Sequence, residues 1–203
     1  MPLSPPISRR ALKHTRAIQA AAFQREDGFW DIDAHITDVK TRDISLGAGV
    51  RPAGAPIHDL WLRLTIDTGF NIVAVEAASD AVPYPGYCDT ITPDYGMLVG
   101  LNLTKGFRHR VKERLAGTAG CTHLTELAQV LPTAAIQAFA GEVFPTLESA
   151  AGDPRGSHNQ HNQHNQQHVQ KPFQLDHCHA LRTDGEAVAK YYPRWAVKPP
   201  AEV

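Results

Sequence analysis

Two stretches of strict alternation limit what this chain can become. In the first, Trp30, Ile32, Ala34 and Ile36 alternate with Asp31, Asp33, His35 and Thr37. In the second, Leu60, Leu62, Leu64 and Ile66 alternate with Trp61, Arg63, Thr65 and Asp67. Successive side chains of a strand point to opposite faces, so this period of two predicts strands with one buried and one wet face. Asp67-Thr68-Gly69 then forms a turn, and Asn71 to Ala78 reads as a third strand in a hairpin with the second. The simplest arrangement is a three-stranded antiparallel meander. Arg42 to Pro56, rich in glycine, proline and small residues, reads as a loop.

Helices follow the strands. Thr92-Pro93-Asp94 offers a cap and a first-turn proline before Tyr95 to Gly100. Phe107, Val111 and Leu115 lie four apart on one face, and Gly117 stops that helix. Thr122 opens a longer helix whose buried face runs from Leu124 to Phe139, with Pro132 expected to kink or divide it. Residues 1–8 read as a loose arm, and residues 9–25 as a short helix or an extended arm. The expected class is α+β, a small three-stranded antiparallel sheet with helices on one face. Residues 1–148 form the core domain with its N-terminal arm. Residues 149–171, rich in His, Asn and Gln, read as a disordered linker, because the run from Gly156 to His168 has no apolar residue and cannot offset the entropy of ordering. Residues 172–203 are expected to dock back on the core through Tyr191, Tyr192 and Trp195.

Charge and hydropathy exclude some functions. A net charge of −1 lacks the basic surplus of a general nucleic-acid binder. No apolar run approaches the ~20 residues of a membrane-spanning helix. The basic residues near the N-terminus (Arg9, Arg10, Lys13, Arg16) precede no apolar run of the secretory kind, so a reducing cytoplasm is expected. Three cysteines, an odd number, suit free thiols or metal ligands better than a disulfide framework.

Each cysteine has a metal- or proton-binding neighbour. Cys121 follows a glycine turn and opens a helix, with His123 two residues on. Backbone N–H groups and the helix dipole there favour a thiolate, and the pair can also converge on a metal. Equally, Cys121 can be a small packed hydrophobe with His123 on the surface. Cys88 and Asp89 sit in the loop between the last strand and the first helix, as ligands or as a buried thiol beside a turn former. In His177-Cys178-His179, an extended chain puts the two histidines on one side and the thiol on the other. The run from His158 to His168 can bind nickel or copper loosely or do nothing. Asp33, Asp38 and Asp43 read as a solvated edge. Lys105, Arg108, Arg110, Lys112 and Arg114 make a basic helix, either a solvated face or a docking surface for an acidic partner or an anionic ligand.

Three segments together resemble a known family: Arg25 to Asp33 (REDGFWDID), Gly120 to Leu127 (GCTHLTEL) and Asp176 to Gly185 (DHCHALRTDG). It is an uncharacterised bacterial family described only as a domain of unknown function, number twenty-eight eighty-nine, and it implies no activity. The order of arm, three strands and helices also resembles iron–sulfur scaffold and sulfur-transfer proteins of the NifU/SufE type. That resemblance implies ligand cysteines where Cys88 and Cys121 stand. The chain departs from it in having no cysteine between residues 41 and 56, and in placing Gly120 before Cys121. Two thiols with His123 and Asp89 hold one metal ion more easily than a cluster.

The expected function is therefore a metal- or sulfur-handling accessory protein. Its site would be Cys88, Cys121 and His123, with Asp89 and Cys178 as completers and zinc or iron as the ion. The alternatives are a thiol enzyme acting on a small acid or acyl-CoA, with Cys121 as nucleophile and His123 as acid/base, and a non-catalytic interaction module.

Overall fold

The computed structural model describes residues 3–144 and 171–197. The two alternating stretches become β2 (Trp30–Lys40) and β5 (Pro56–Ile66), which pair antiparallel. β6 (Ile72–Ala81) pairs with β5 across the predicted turn. There the Asp67 carboxylate accepts the N–H groups of Gly69 and Asn71 at 2.9 and 2.8 Å.

A further strand, β1 (His14–Gln24), pairs antiparallel with β2 on its other side. The sheet is thus four-stranded, in the order β1-β2-β5-β6, where three strands were expected. β1 comes from residues read as a short helix or arm. It is an edge strand with mostly exposed side chains, so burial imposes no alternation on it, and its alanines favour helix when isolated. Pairing with β2 overrides that preference. The expected loop over residues 42–56 carries a small hairpin, β3 (Ile44–Leu46) with β4 (Gly49–Arg51).

Alternation sorts β2 cleanly. Trp30, Ile32, Ala34, Ile36 and Asp38 are buried on the inner face, and the residues between them are half-buried on the outer face. Ile32, Ile36, Leu60, Leu62 and Leu64 are each at most 1% exposed. Burying one such side chain contributes roughly 1.5–3 kcal/mol, enough to fix the register. A 3-10 segment (Asp89–Leu98) packs on β6, with Tyr95 and Leu98 fully buried. It spans Pro93, earlier than the expected helix from Tyr95. α1 (Phe107–Leu115) buries Phe107, Val111 and Leu115 as its spacing predicts. After a 3-10 turn (Gly117–Ala119), α2 (Thr122–Phe139) runs through Pro132 as one helix.

The chain divides into two units, Met1–Ala138 and Phe139–Val203. In the second, the Phe144 ring lies 6.0 Å from Phe139 and 5.1 Å from Phe173, and Leu175 and Val188 are buried. α3 (Glu186–Tyr191) lies between 3-10 turns His179–Leu181 and Pro193–Trp195. Apart from Lys171, the linker expected over residues 149–171 lies outside the described residues.

Candidate metal centre

The inner-face alternation of β2 ends on a carboxylate. Asp38 is 3% exposed, although it was expected on a solvated edge. Register explains its company: Arg16 on β1 and His58 on β5 are its direct cross-strand partners, and His14 lies one inner-face step along β1. Arg16 grips it with a fork, Nε to Oδ1 at 2.9 Å and Nη2 to Oδ2 at 2.8 Å. His14 Nε2 is 2.7 Å from Oδ1, and His58 Nδ1 is 3.1 Å from Oδ2. From α2, His123 brings Nε2 to 3.4 Å from the same Oδ2. The His58 and His123 rings stack with centroids 3.7 Å apart. Glu126, one turn further along α2, closes the group through Arg16 Nη1 at 2.5 Å.

Burial alone would raise the Asp38 pKa, but the hydrogen bonds from Arg16 and His14 outweigh it and hold the carboxyl at about 2. Burial lowers His58, and the charge of His123 adds to this. Burial also lowers His123, with a further push from Arg16. Both shifts favour the neutral imidazole, the form that ligates metals.

The three atoms Asp38 Oδ2, His58 Nδ1 and His123 Nε2 all lie within 4.8 Å of one another. An ion bound at 2.0–2.1 Å in a tetrahedron separates its ligand atoms by about 3.3 Å. The two edges at Oδ2 measure 3.1 and 3.4 Å. Oδ2 has two lone pairs, and Arg16 takes one, leaving the other shared between two imidazoles. The donor set, two nitrogens and one oxygen, suits zinc or ferrous iron. Arg16 and His14 orient the carboxylate from behind, as outer partners of metal ligands do.

Cys121 stands beside this centre. Its Sγ lies 3.8 Å from His123 Nδ1, the nitrogen turned away from Asp38. The Tyr95 hydroxyl clamps its backbone, donating to the Cys121 carbonyl at 2.8 Å and accepting its N–H at 3.1 Å. Gly120 is needed just before it, since a Cβ there would meet the Leu115 carbonyl oxygen at 2.3 Å.

Of the residues singled out from sequence, the fold brings His123 into the group and Cys121 to its edge. Among the described residues, the one such group holds Asp38, His58 and His123. Cys88 is half-buried at the N-cap of the 3-10 segment that carries Tyr95, and Asp89 follows it with a buried Oδ1 that has no hydrogen bond. Cys178 is exposed in the second unit. On the basic helix, Arg108 and Arg114 donate to the carbonyls of Gln129 and Met97, while Arg110 and Lys112 are exposed. Asp38, His58, His14 and Arg16 were not picked out as site residues. The available signal was phase: Asp38 continues the Trp30–Ile36 series by one step, and His58 precedes the Leu60–Ile66 series by one.

No curated protein and no solved structure matches the chain, so the expected NifU/SufE likeness is without support. A family description does match, from His14, the first residue of β1, to Gln137 in α2, a span that includes every residue of the centre. The chain belongs to this family, described as Protein of unknown function (DUF2889), which it matches over residues 14–137.

Proposed function

We propose that this is a metal-handling accessory protein that binds one divalent ion of the zinc or ferrous class through Asp38 Oδ2, His58 Nδ1 and His123 Nε2. The observation that carries this reading is the shared Oδ2, with two imidazole nitrogens 3.1 and 3.4 Å away. A cation at their common point gives each lone pair a partner, which two imidazoles competing for one lone pair do not have. Cys121 is a positioning and sulfur-bearing neighbour, because its thiol reaches the outer nitrogen of a ligand histidine. Partly exposed His14 and Arg16, at 36% and 35%, put the centre near solvent, as suits a protein that receives and releases an ion.

A second reading rests on the same ring. Cys121 Sγ, His123 and Asp38 lie in sequence, at 3.8 and 3.4 Å, in the order of a thiol nucleophile, its base and the base's orienting carboxylate. It is an acyl-transfer enzyme in which Cys121 attacks a thioester: its proton passes to His123 and on to the departing thiol, and the acyl group rests on the Cys121 sulfur.

One experiment separates the two. The full chain, made without an affinity tag and with His158, His161, His164 and His168 changed to Ser, is analysed for metal and for alkylation by iodoacetamide. The metal reading expects about one zinc or iron per chain, lost in His58→Ala and kept in Cys121→Ala. A metal-free protein whose melting temperature ignores added zinc and ferrous iron sinks it. Fast labelling of Cys121 over Cys88 and Cys178, slowed by His123→Ala, would then support the thiol enzyme.

A further inference from the structure

We infer that β1 is a homodimer seam, at which a second copy of this chain adds its own β1 antiparallel and joins two four-stranded sheets into one of eight. β1 has β2 on one side and, among the described residues, no strand on the other. A free edge presents a row of unpaired N–H and C=O groups. Proteins usually guard such an edge with charge, proline, a bulge or brevity. β1 has none of these at its centre. It is 11 residues long, its pairing with β2 runs without a register shift, and Ala17 to Phe23 carries neither a charge nor a proline. Ile18 is 38% exposed and Phe23 52%. Small residues fill the middle, so side chains give little hindrance to close approach.

The ends of the strand identify the partner. Arg9, Arg10 and Lys13 lead into β1, and Arg25, Glu26 and Asp27 form the turn that leaves it, net acidic although Arg25 already pairs with Asp27 at 2.6 Å. An antiparallel copy places the basic end of each chain against the acidic turn of the other, whereas a parallel arrangement stacks like charges. With the twofold axis at Ala20, Ile18 faces Ala22, Arg16 faces Gln24 and Lys13 faces Asp27, twice over. The even sum keeps facing side chains on the same side of the sheet, so both inner faces fall on one side. Pairing over this length forms about ten backbone hydrogen bonds. The arm before β1 supports the same partner. Leu3, Ile7 and Leu12 are 94%, 106% and 68% exposed, and in an antiparallel dimer each arm runs out alongside the other chain. This inference is independent of metal binding.

The test is sedimentation equilibrium of the full chain, with and without Ala20→Lys. The expected result is a dimer whose dissociation constant rises about tenfold or more in Ala20→Lys, which sets two ammonium groups together on the axis. Circular dichroism checks that the variant stays folded. Ala20→Cys serves as the second variant: mild oxidation should give a covalent dimer, with peptide mapping that joins position 20 to position 20, because facing residues of antiparallel strands lie within disulfide reach. A chain that stays monomeric at high concentration overturns the inference and leaves the edge to another occupant, including the chain's own segments. A dimer that both variants leave unchanged and uncrosslinked places the interface elsewhere and overturns it equally.

Discussion

On the outer face of β2, Asp33 meets the fork of Arg63 at 2.7 and 2.8 Å, and His35, stacked on Trp61, meets Asp59 at 2.6 Å. On the inner face, Asp38 meets the fork of Arg16 at 2.9 and 2.8 Å and His58 at 3.1 Å. The same residue types on the two faces of one sheet make two different objects. Outside, the pairs are spread along the sheet, His35 on Asp59 and Arg63 on Asp33 and Glu76, and the Arg63 side chain is 46% exposed. Inside, three histidines and an arginine converge on one carboxylate whose side chain is 4% exposed. Convergence and burial, rather than residue identity, separate a candidate centre from a solvated face.

The largest expected effect breaks the inner side of this comparison. Asp38→Ala leaves Arg16 without its main counter-charge and three imidazoles without their acceptor. It should cost about 1.5–3 kcal/mol in urea unfolding, the range for hydrogen bonds to a charged group, since Arg16 and His14 are only partly buried and can turn to water. Asp33→Ala, the outer equivalent, should cost about 1 kcal/mol or less. Equal losses would mean that convergence adds nothing and that the two faces are energetically alike.

This contrast also explains how far the sequence could be read. Alternation at residues 30–37 and 60–66 was strong enough to give β2, β5 and their inner faces, because burial punishes a register slip at every apolar side chain. β1 was illegible for the opposite reason: an exposed edge strand has no buried face to write a period into its sequence. Cys121 and His123 were found because helix starts and thiols carry local signals. Asp38 and His58 were passed over because a polar residue at the end of an apolar series looks like the strand's exit to solvent. Only register, which puts Arg16 and His58 opposite Asp38, reveals that the series continues inward. A site built by cross-strand pairing is spread over residues 14 to 126, and no local window contains it.

The second expected effect is smaller and depends on pH. His58 and His123 have folded pKa values below the ordinary histidine value, chiefly from burial. As pH falls past about 6.5, the unfolded chain therefore binds protons more readily than the folded one, and stability drops. Asp38, held at about 2, adds a separate loss that starts near the usual carboxylate range and completes as pH falls through its folded value. Urea midpoints of chelator-treated protein should fall between about pH 7.5 and about pH 5.5. The double variant His58→Gln with His123→Gln should flatten this step and leave the lower one. A step that survives the double variant unchanged would assign it to other groups and weaken the inner-face account.

The smallest effect sharpens the outer side. Arg63 bridges Asp33 and, at 3.3 Å, Glu76, so Arg63→Ala removes a cation from a cluster of acids. Because Glu76 is 71% exposed and Arg63 nearly half so, water already screens the charges. The loss should be about 0.5–1 kcal/mol at low salt. It should shrink further near 1 M salt, where the screening length falls to about 3 Å. Arg16→Ala, measured alongside, should keep most of its larger cost at high salt, because the carboxylate it leaves behind is sheltered from ions. Salt therefore reads the comparison without any change to the chain: a network that functions through burial resists it, and a solvated one does not. If both arginine variants converge at high salt, Asp38 is more accessible than its packing implies, and the inner face loses its distinction from the outer.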